Sequence, residues 1–267
     1  MRRILFIFPY LNQGGAQKVA TTLAKHLSNK WEYKFDFFTL DDQFFYRNIL
    51  SSHIRHFFAS DKNTTSHGIS SWRLYKGLVR HLKIYEYDIL ISGCEGTSEI
   101  SLFLLRHLYP HLCRNQQFIT LVHTPISKIY DFSSEIHKLG WNLLKWMREK
   151  SFDQTVTVSK SLFNDPFLGE IKTKRVINNP IDLDELNYLS NQPFELIHQN
   201  IIKVPFFLYV GRISSEKNPL LLLEGFNLIK NDCPHNLVML GAVNDLALLK
   251  RIQVFIEQNL KGRVFSL

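Results

Sequence analysis

A chain of 267 residues, 45% of them hydrophobic, can bury one large core or two smaller ones, which excludes a disordered segment or a peptide. No stretch reaches 18 uninterrupted apolar residues, which excludes a bilayer span, and Pro9, Tyr10 and Asn12 cut the opening run MRRILFIFPY short of a secretory leader. The net charge of +8 falls entirely in residues 1–150, with 20 Lys/Arg against 12 Asp/Glu, while residues 151–267 hold 12 of each; phosphorylated substrates or an anionic membrane surface suit that surplus better than nucleic acid, for which no motif is present.

In chain order, runs rich in β-branched and aromatic residues alternate with segments of helical period. Strands are predicted near 3–8, 33–39, 88–92, 117–122, 154–158 and 174–177, and helices over 16–28, 70–84, 97–108 and 136–150. This alternation implies a parallel sheet and closes one doubly wound, Rossmann-like domain over residues 1–179. Residues 180–204 are acidic and turn-rich, as an inter-lobe linker is expected to be. The alternation restarts with strand 206–210, helix 217–230, strand 236–240, helix 244–259 and a last strand at 263–267, a partial second domain over 205–267. A full doubly wound lobe of six strands needs about three more βα units, so the expectation is a complete first lobe and an incomplete second one. Cys94, Cys113 and Cys233 are odd in number and lack metal spacing, which fits a reducing cytosol and gives them no role.

Three stretches carry candidate chemistry. Gly14 and Gly15 follow the first strand and open a helix, where a tight turn and free N–H groups suit an anion, although a glycine turn also serves plain geometry. The dinucleotide pattern G-x-G-x-x-G is absent, because Ala16, Gln17 and Lys18 follow. Asp36 or Asp41 as a ribose-binding acid therefore makes a poor case for a nicotinamide-dependent oxidoreductase. Gly211 and Arg212 end a strand and Lys217 stands near the next helix start, a guanidinium fork and an ammonium that suit a diphosphate. Against that, Glu216 could simply pair with Arg212. The third stretch, HKLGWNLLKWMREK at 137–150, is basic and aromatic; it reads as a crossover helix burying Leu139, Leu143 and Trp146 against the sheet, with membrane contact as the rival.

The stretch YVGRISSEKNPLLLLEGF at 209–226 resembles the donor-site signature of the family 4 (group 1) retaining glycosyltransferases of the GT-B fold. Other pieces fall in the family's order: GGAQKVATTLA at 14–24, LVHTP at 121–125, VTVSKSL at 156–162, VINNPID at 176–182 and LVMLGAVND at 237–245. The resemblance covers essentially the whole chain and implies a transferase moving a sugar, with retention, from a nucleotide diphosphate sugar to a glycan or lipid-linked acceptor. It implies Arg212 and Lys217 on the donor diphosphate, the Gly15 N–H near the same phosphates or the acceptor, and His123 as the catalytic-site histidine contacting the transferred sugar or acceptor. Gly14, Gly211 and Gly241 would line the cleft. By itself, His123 reads more readily as a core histidine satisfied by a hydrogen bond, Ser159 as a helix cap and Asn179 as a turn residue.

The resemblance further implies no metal and no separate cofactor, in keeping with the lack of D-x-D spacing in a metal loop; the acids in DFSSE, 131–135, lie too far apart. It places the protein in the cytoplasm, at the inner face of the membrane, in cell-surface polysaccharide or lipopolysaccharide synthesis. Two departures are small: Gln17 where the family often has Glu, and Asn218 where it often has Gly. A third is large, since the sugar-gripping motif E-x-P-x-G-x-x-x-x-E has no counterpart before Leu267. The alternative is therefore a truncated, non-catalytic remnant or binding module.

Overall fold

The computed structural model describes every residue except 29–31, 60–66, 130–134, 169–172, 193–203, 244 and 267. The chain divides into two compact units, Met1–Asn187 and Tyr188–Leu267. The first carries strands β1 (Arg2–Ile7), β2 (Tyr33–Thr39), β3 (Arg55–Phe58), β4 (Ile89–Ser92), β5 (Gln117–Val122), β6 (Gln154–Thr157) and β7 (Lys174–Val176). Helices α1 (Gly15–Ser28), α2 (His67–Leu82), α3 (Thr97–Leu108), α4 (Ile126–Ile129), α5 (Glu135–Ser151) and α6 (Lys160–Phe163) lie between them, and α7 (Leu183–Ser190) follows.

All seven strands run parallel, in the order β3-β2-β1-β4-β5-β6-β7. A parallel sheet covered on both faces explains why its strands read as continuous apolar runs. Alternate side chains go to opposite faces. Leu5, Ile7 and Phe38 join one core with Leu74, Leu78 and Leu102 of α2 and α3, while Ile4, Phe6, Phe35 and Phe37 join the other with Ala20 and Ala24 of α1.

The predicted strands and helices of this unit all form, to within a few residues at their ends. β3 was not among them. It is four residues long and begins Arg-His, and it is held at the sheet edge by Arg55, which pairs through Nε and Nη2 with the buried Asp36 at 3.0 and 2.6 Å. Tyr87 donates to the same carboxylate at 2.8 Å. Burial would raise the Asp36 carboxyl, but hydrogen bonds from Arg55 and Tyr87 outweigh it and hold the group below its ordinary value. Asp36 is thus committed to the core and is not a ribose ligand.

Helix α5 corrects an expectation. Leu139, Leu143 and Trp146 are not buried against the sheet; they are 71%, 54% and 46% exposed. Met147, Arg148 and Ser151 face inward instead. Arg148 lies in the core and grips Glu99 of α3 at 2.8 and 3.0 Å, and Glu99 also accepts from Thr120 of β5 at 2.6 Å. A buried bidentate pair with its remaining lone pairs satisfied fixes which side of the helix turns in.

The segment expected as a linker opens with α7, whose start is fastened to α1. Lys18 meets Glu185 and Lys25 meets Asp182, both at 2.8 Å. Residues 193–203 of that segment lie outside the described residues.

The second unit contains β8 (Phe206–Val210), α8 (Pro219–Ile229), β9 (Asn236–Leu240), α9 (Leu246–Asn259) and β10 (Val264–Ser266), with parallel order β10-β9-β8. Its core joins Leu223 and Phe226 of α8 and Leu248 and Ile252 of α9 to Leu237 and Met239 of β9. The predicted helix 217–230 begins only at Pro219, because Ser215–Lys217 form a 3-10 turn and Asn218 takes the left-handed conformation at φ 44°. The predicted helix start at 244 and strand end at 267 lie outside the described residues.

Candidate functional site

In the first unit the strand order reverses between β1 and β4, and open α/β sheets bind ligands outside the carboxyl ends of the strands at such a point. Three loops converge there by topology: β1 to α1, β4 to α3, and the end of β5. The first two touch. Gly93, just past β4, donates to Ile7 O at 2.9 Å, and a Cβ on it would meet the Phe8 ring at 2.0 Å. Only glycine lets the two strand ends come this close.

Gly14 lies at the end of the first loop, its carbonyl accepting from Lys18 N at 3.0 Å and from the Tyr46 hydroxyl at 3.3 Å. Gly15 is the first residue of α1 and exposed, with open space where a Cβ would be. Gln17 donates through Nε2 to Tyr10 O at 3.3 Å, so its amide braces the loop.

His123 immediately follows β5. Its backbone N–H donates to Glu95 Oε1 at 2.6 Å, and the Thr124 N–H donates to the same oxygen at 2.8 Å. Its Nε2 is buried with no hydrogen-bond partner among the described residues. Burial holds the imidazole below its ordinary value, so it is neutral near pH 7. An orphaned buried nitrogen is costly unless something outside the fold satisfies it. Glu95 is the residue that sequence reasoning missed. Burial raises its carboxyl, and the backbone amides of His123 and Thr124 oppose that rise. Its setting, Gly-Cys-Glu-Gly, reads as a turn, and nothing in one sequence links it to a strand end 28 residues away.

In the second unit Gly211 follows β8 and donates to Leu240 O at 2.9 Å, and Ile213 donates to Ala242 O at the same distance. Gly241 sits against this segment: a Cβ on it would stand 2.0 Å from Gly211 O, at a φ of +157°. Arg212 is 54% exposed and pairs with Glu216, one turn ahead on the same loop, as the plainer reading anticipated. Tyr209 donates its hydroxyl to Arg212 O at 3.0 Å and steadies the backbone there. Lys217 ends the 3-10 turn, is exposed, and makes no ion pair among the described residues. The unit thus offers two cations beside a strand end, one only loosely engaged.

Other sequence candidates have structural roles. Ser159 caps α6, accepting from Leu162 N at 3.3 Å. Burial pushes the Cys94 thiol up to about 12 and Cys113 to about 11, which keeps both protonated and inert at neutral pH. Among the described residues no group of three or more His, Cys, Asp and Glu is placed to hold a metal ion. Of residues 131–135 only Glu135 is described. No helix among the described residues is long and apolar enough to cross a membrane.

HepE of Anabaena, solved in complex with UDP-glucose, superposes with a TM-score of 0.71 at 14% identity, over all of this chain and 69% of that one. A glycosyltransferase from Rickettsia africae gives a TM-score of 0.66 at 17% identity, again over all of this chain and 68% of the other. The fold is therefore that of the GT-B glycosyltransferases. The chain belongs to Glycosyltransferase Family 4, whose model matches residues 13–185. An uncharacterized glycosyltransferase of Methanocaldococcus jannaschii is 26% identical over 202 residues, 73% of this chain and 48% of the relative. The chain spans about half the length of that curated relative.

Proposed function

We propose that the protein is a retaining glycosyltransferase that moves a sugar from a nucleotide diphosphate sugar to a glycan or lipid-linked acceptor, in cell-surface polysaccharide or lipopolysaccharide synthesis. The observation that carries the reading is the pair Arg212 and Lys217 beside the end of β8, exposed, with Glu216 the one ion-pair partner of their side chains among the described residues. A guanidinium fork and a point charge are what two adjacent phosphates require, and the site need supply no metal for it. Solved structures of a fold relative with UDP and UDP-glucose support a uridine nucleotide as the first donor to try.

Each residue then has a role. Arg212 and Lys217 hold the donor diphosphate and offset the charge that gathers on it as the glycosidic bond breaks, an electrostatic term used most in the transition state. Glu216 is displaced from Arg212 when phosphate arrives. In the first unit, Gly15 offers an N–H at a helix start to an anionic group. His123 gives its unsatisfied Nε2 a partner in the transferred sugar or the acceptor hydroxyl, and Glu95 positions it through the backbone. Retention, the acceptor and a place at the inner face of a membrane belong to the same proposal.

The test is thermal unfolding with UDP, GDP, ADP and CMP, on the chain and on Arg212→Ala. Binding to the native state adds RT ln(1 + [L]/Kd), about 2.7 kcal/mol at a hundredfold excess over Kd. A rise selective for one nucleotide and lost in the variant is expected. Release of that nucleotide from its sugar conjugate, with the anomer of the product read by NMR, then checks transfer and retention. No nucleotide response in the wild type would sink the assignment of the phosphate site. Binding without turnover would leave a nucleotide-binding module.

A further inference from the structure

The outer face of α2 carries chemistry that the transfer reaction leaves unused. Trp72, Tyr75, Lys76, Val79 and Arg80 fall at i, i+3, i+4, i+7 and i+8, which puts them on one side of the helix over about 12 Å. With Tyr109, at the end of α3, they line a groove of about 330 Å³. Tyr75 and Val79 are buried at its floor, and ring centroids step 5.0 Å from Trp72 to Tyr75 and 6.2 Å from Tyr75 to Tyr109. Trp72 is 45% exposed, with the Lys76 ammonium 5.0 Å from its ring centroid. Arg80 is exposed and donates to Ala59 O at 3.2 Å, and neither it nor Lys76 has a carboxylate partner among the described residues. Crossover helices of a parallel sheet run back from the carboxyl ends of the strands. Arg80 and Tyr109, late in their helices, therefore lie toward the opposite end of the sheet from Gly15 and His123.

We infer that this groove binds an acidic glycan, a carboxylate-bearing sugar chain held apart from the reacting centre. Charge selects an anion. Residues 67–85 and 100–130 hold seven Lys/Arg and no Asp or Glu, and the one acid of α3, Glu99, is buried against Arg148. The rings select a sugar. A pyranose covers an aromatic ring with its C–H face and keeps its hydroxyls at the rim, where they stay free to hydrogen-bond. A carboxylate on that sugar meets Lys76 as a point charge and Arg80 as a planar fork. Single-stranded nucleic acid is served less well, since it stacks on successive open rings and this groove exposes one indole. A bilayer is served less well too, because Tyr75 and Val79 lie at the floor of a groove and do not reach an acyl region. The inference deepens the glycan-acceptor reading above and rests on it for its purpose, a handle on a growing chain; binding itself needs neither donor nor transfer.

The experiment is affinity electrophoresis of the full chain through gels containing polygalacturonate, its methyl ester or polyglutamate. Retardation by polygalacturonate is expected, with little by the ester, which lacks the charge, or by polyglutamate, which lacks the sugar. Trp72→Ala and Lys76→Gln/Arg80→Gln should each weaken that binding at least about tenfold, and Trp72→Phe should restore part of it. All three side chains are exposed, so the variants should melt like wild type and keep the nucleotide response. If Trp72→Ala melts early, the Lys76/Arg80 double variant decides. Wild-type protein that runs unretarded, or variants retarded as strongly as wild type, overturn the inference. So does equal retardation by polyglutamate, or displacement of the sugar polymer by single-stranded DNA or phosphatidylglycerol vesicles, which would mark a general polyanion surface. Retardation without a nucleotide response supports the groove and sinks the phosphate site; a nucleotide response without retardation overturns the groove alone.

Discussion

Gly241 and Gly211 meet backbone to backbone, and their contact sets where Arg212 leaves β8. A methyl at position 241 would lie 2.0 Å from the Gly211 carbonyl oxygen, so one segment must move. Gly241→Ala is expected to lower the stability of the second unit by about 2–4 kcal/mol, a strain effect read by urea denaturation, and to abolish the nucleotide-dependent rise in melting temperature. A near-wild-type midpoint with an intact nucleotide response would count against the close approach. Asn218 shows the same physics with a milder outcome. Its left-handed φ of 44° is a conformation glycine adopts freely and asparagine tolerates. These residues were legible in the sequence as punctuation. Glu95 was not, because its function is to accept two amides from a strand end that no local pattern connects to it.

Helices and strands were legible wherever periodicity fixed them, and less so where one residue decided the outcome. The segments 3–8 and 33–39, rich in aromatic and aliphatic residues, read as strands and form them. By contrast β3, with its Arg-His start, is held by a pairing to Asp36, and α8 starts late because Asn218 leaves the helical region. The face of α5 was misread for the same reason: its leucines satisfy a helical period, but a single buried arginine outranks them in choosing the inward side. Breaking that pair should expose the hierarchy. Arg148→Met leaves Glu99 buried without its counter-charge and is expected to cost about 3–5 kcal/mol, whereas Arg148→Met/Glu99→Leu recovers much of the loss. Urea midpoints of the three proteins check it; equal stability of single and double variants would refute the pairing's role.

At the scale of the whole molecule, acid is the weak point. Burial pushes His56 to about 4, helped by the nearby Arg47, and pushes His81 to about 4 against the attraction of Asp36. Both imidazoles ordinarily titrate at 6.5, so the unfolded chain binds more protons than the folded one between 6.5 and about 4. Their stabilising contribution is complete above that window and is lost as pH falls through it, up to about 3 kcal/mol for each. His81→Gln keeps a donor toward Tyr87 and should flatten the fall in the urea midpoint between about pH 7 and about pH 5. An unchanged slope would show that His81 does not carry the effect.

Among the described residues, the edges of the two sheets differ in the charge they present. The seven-stranded sheet ends in β3 and β7, short strands whose sequences open Arg-His and Lys-Arg. Such borders present like charges to any strand that tries to extend them. β8 borders the smaller sheet with Phe-Phe-Leu-Tyr-Val and no charge at all, and Leu208 and Val210 are 56% and 68% exposed. Among the described residues, the border strand that leads to Arg212 is therefore the one that presents no charge to another strand.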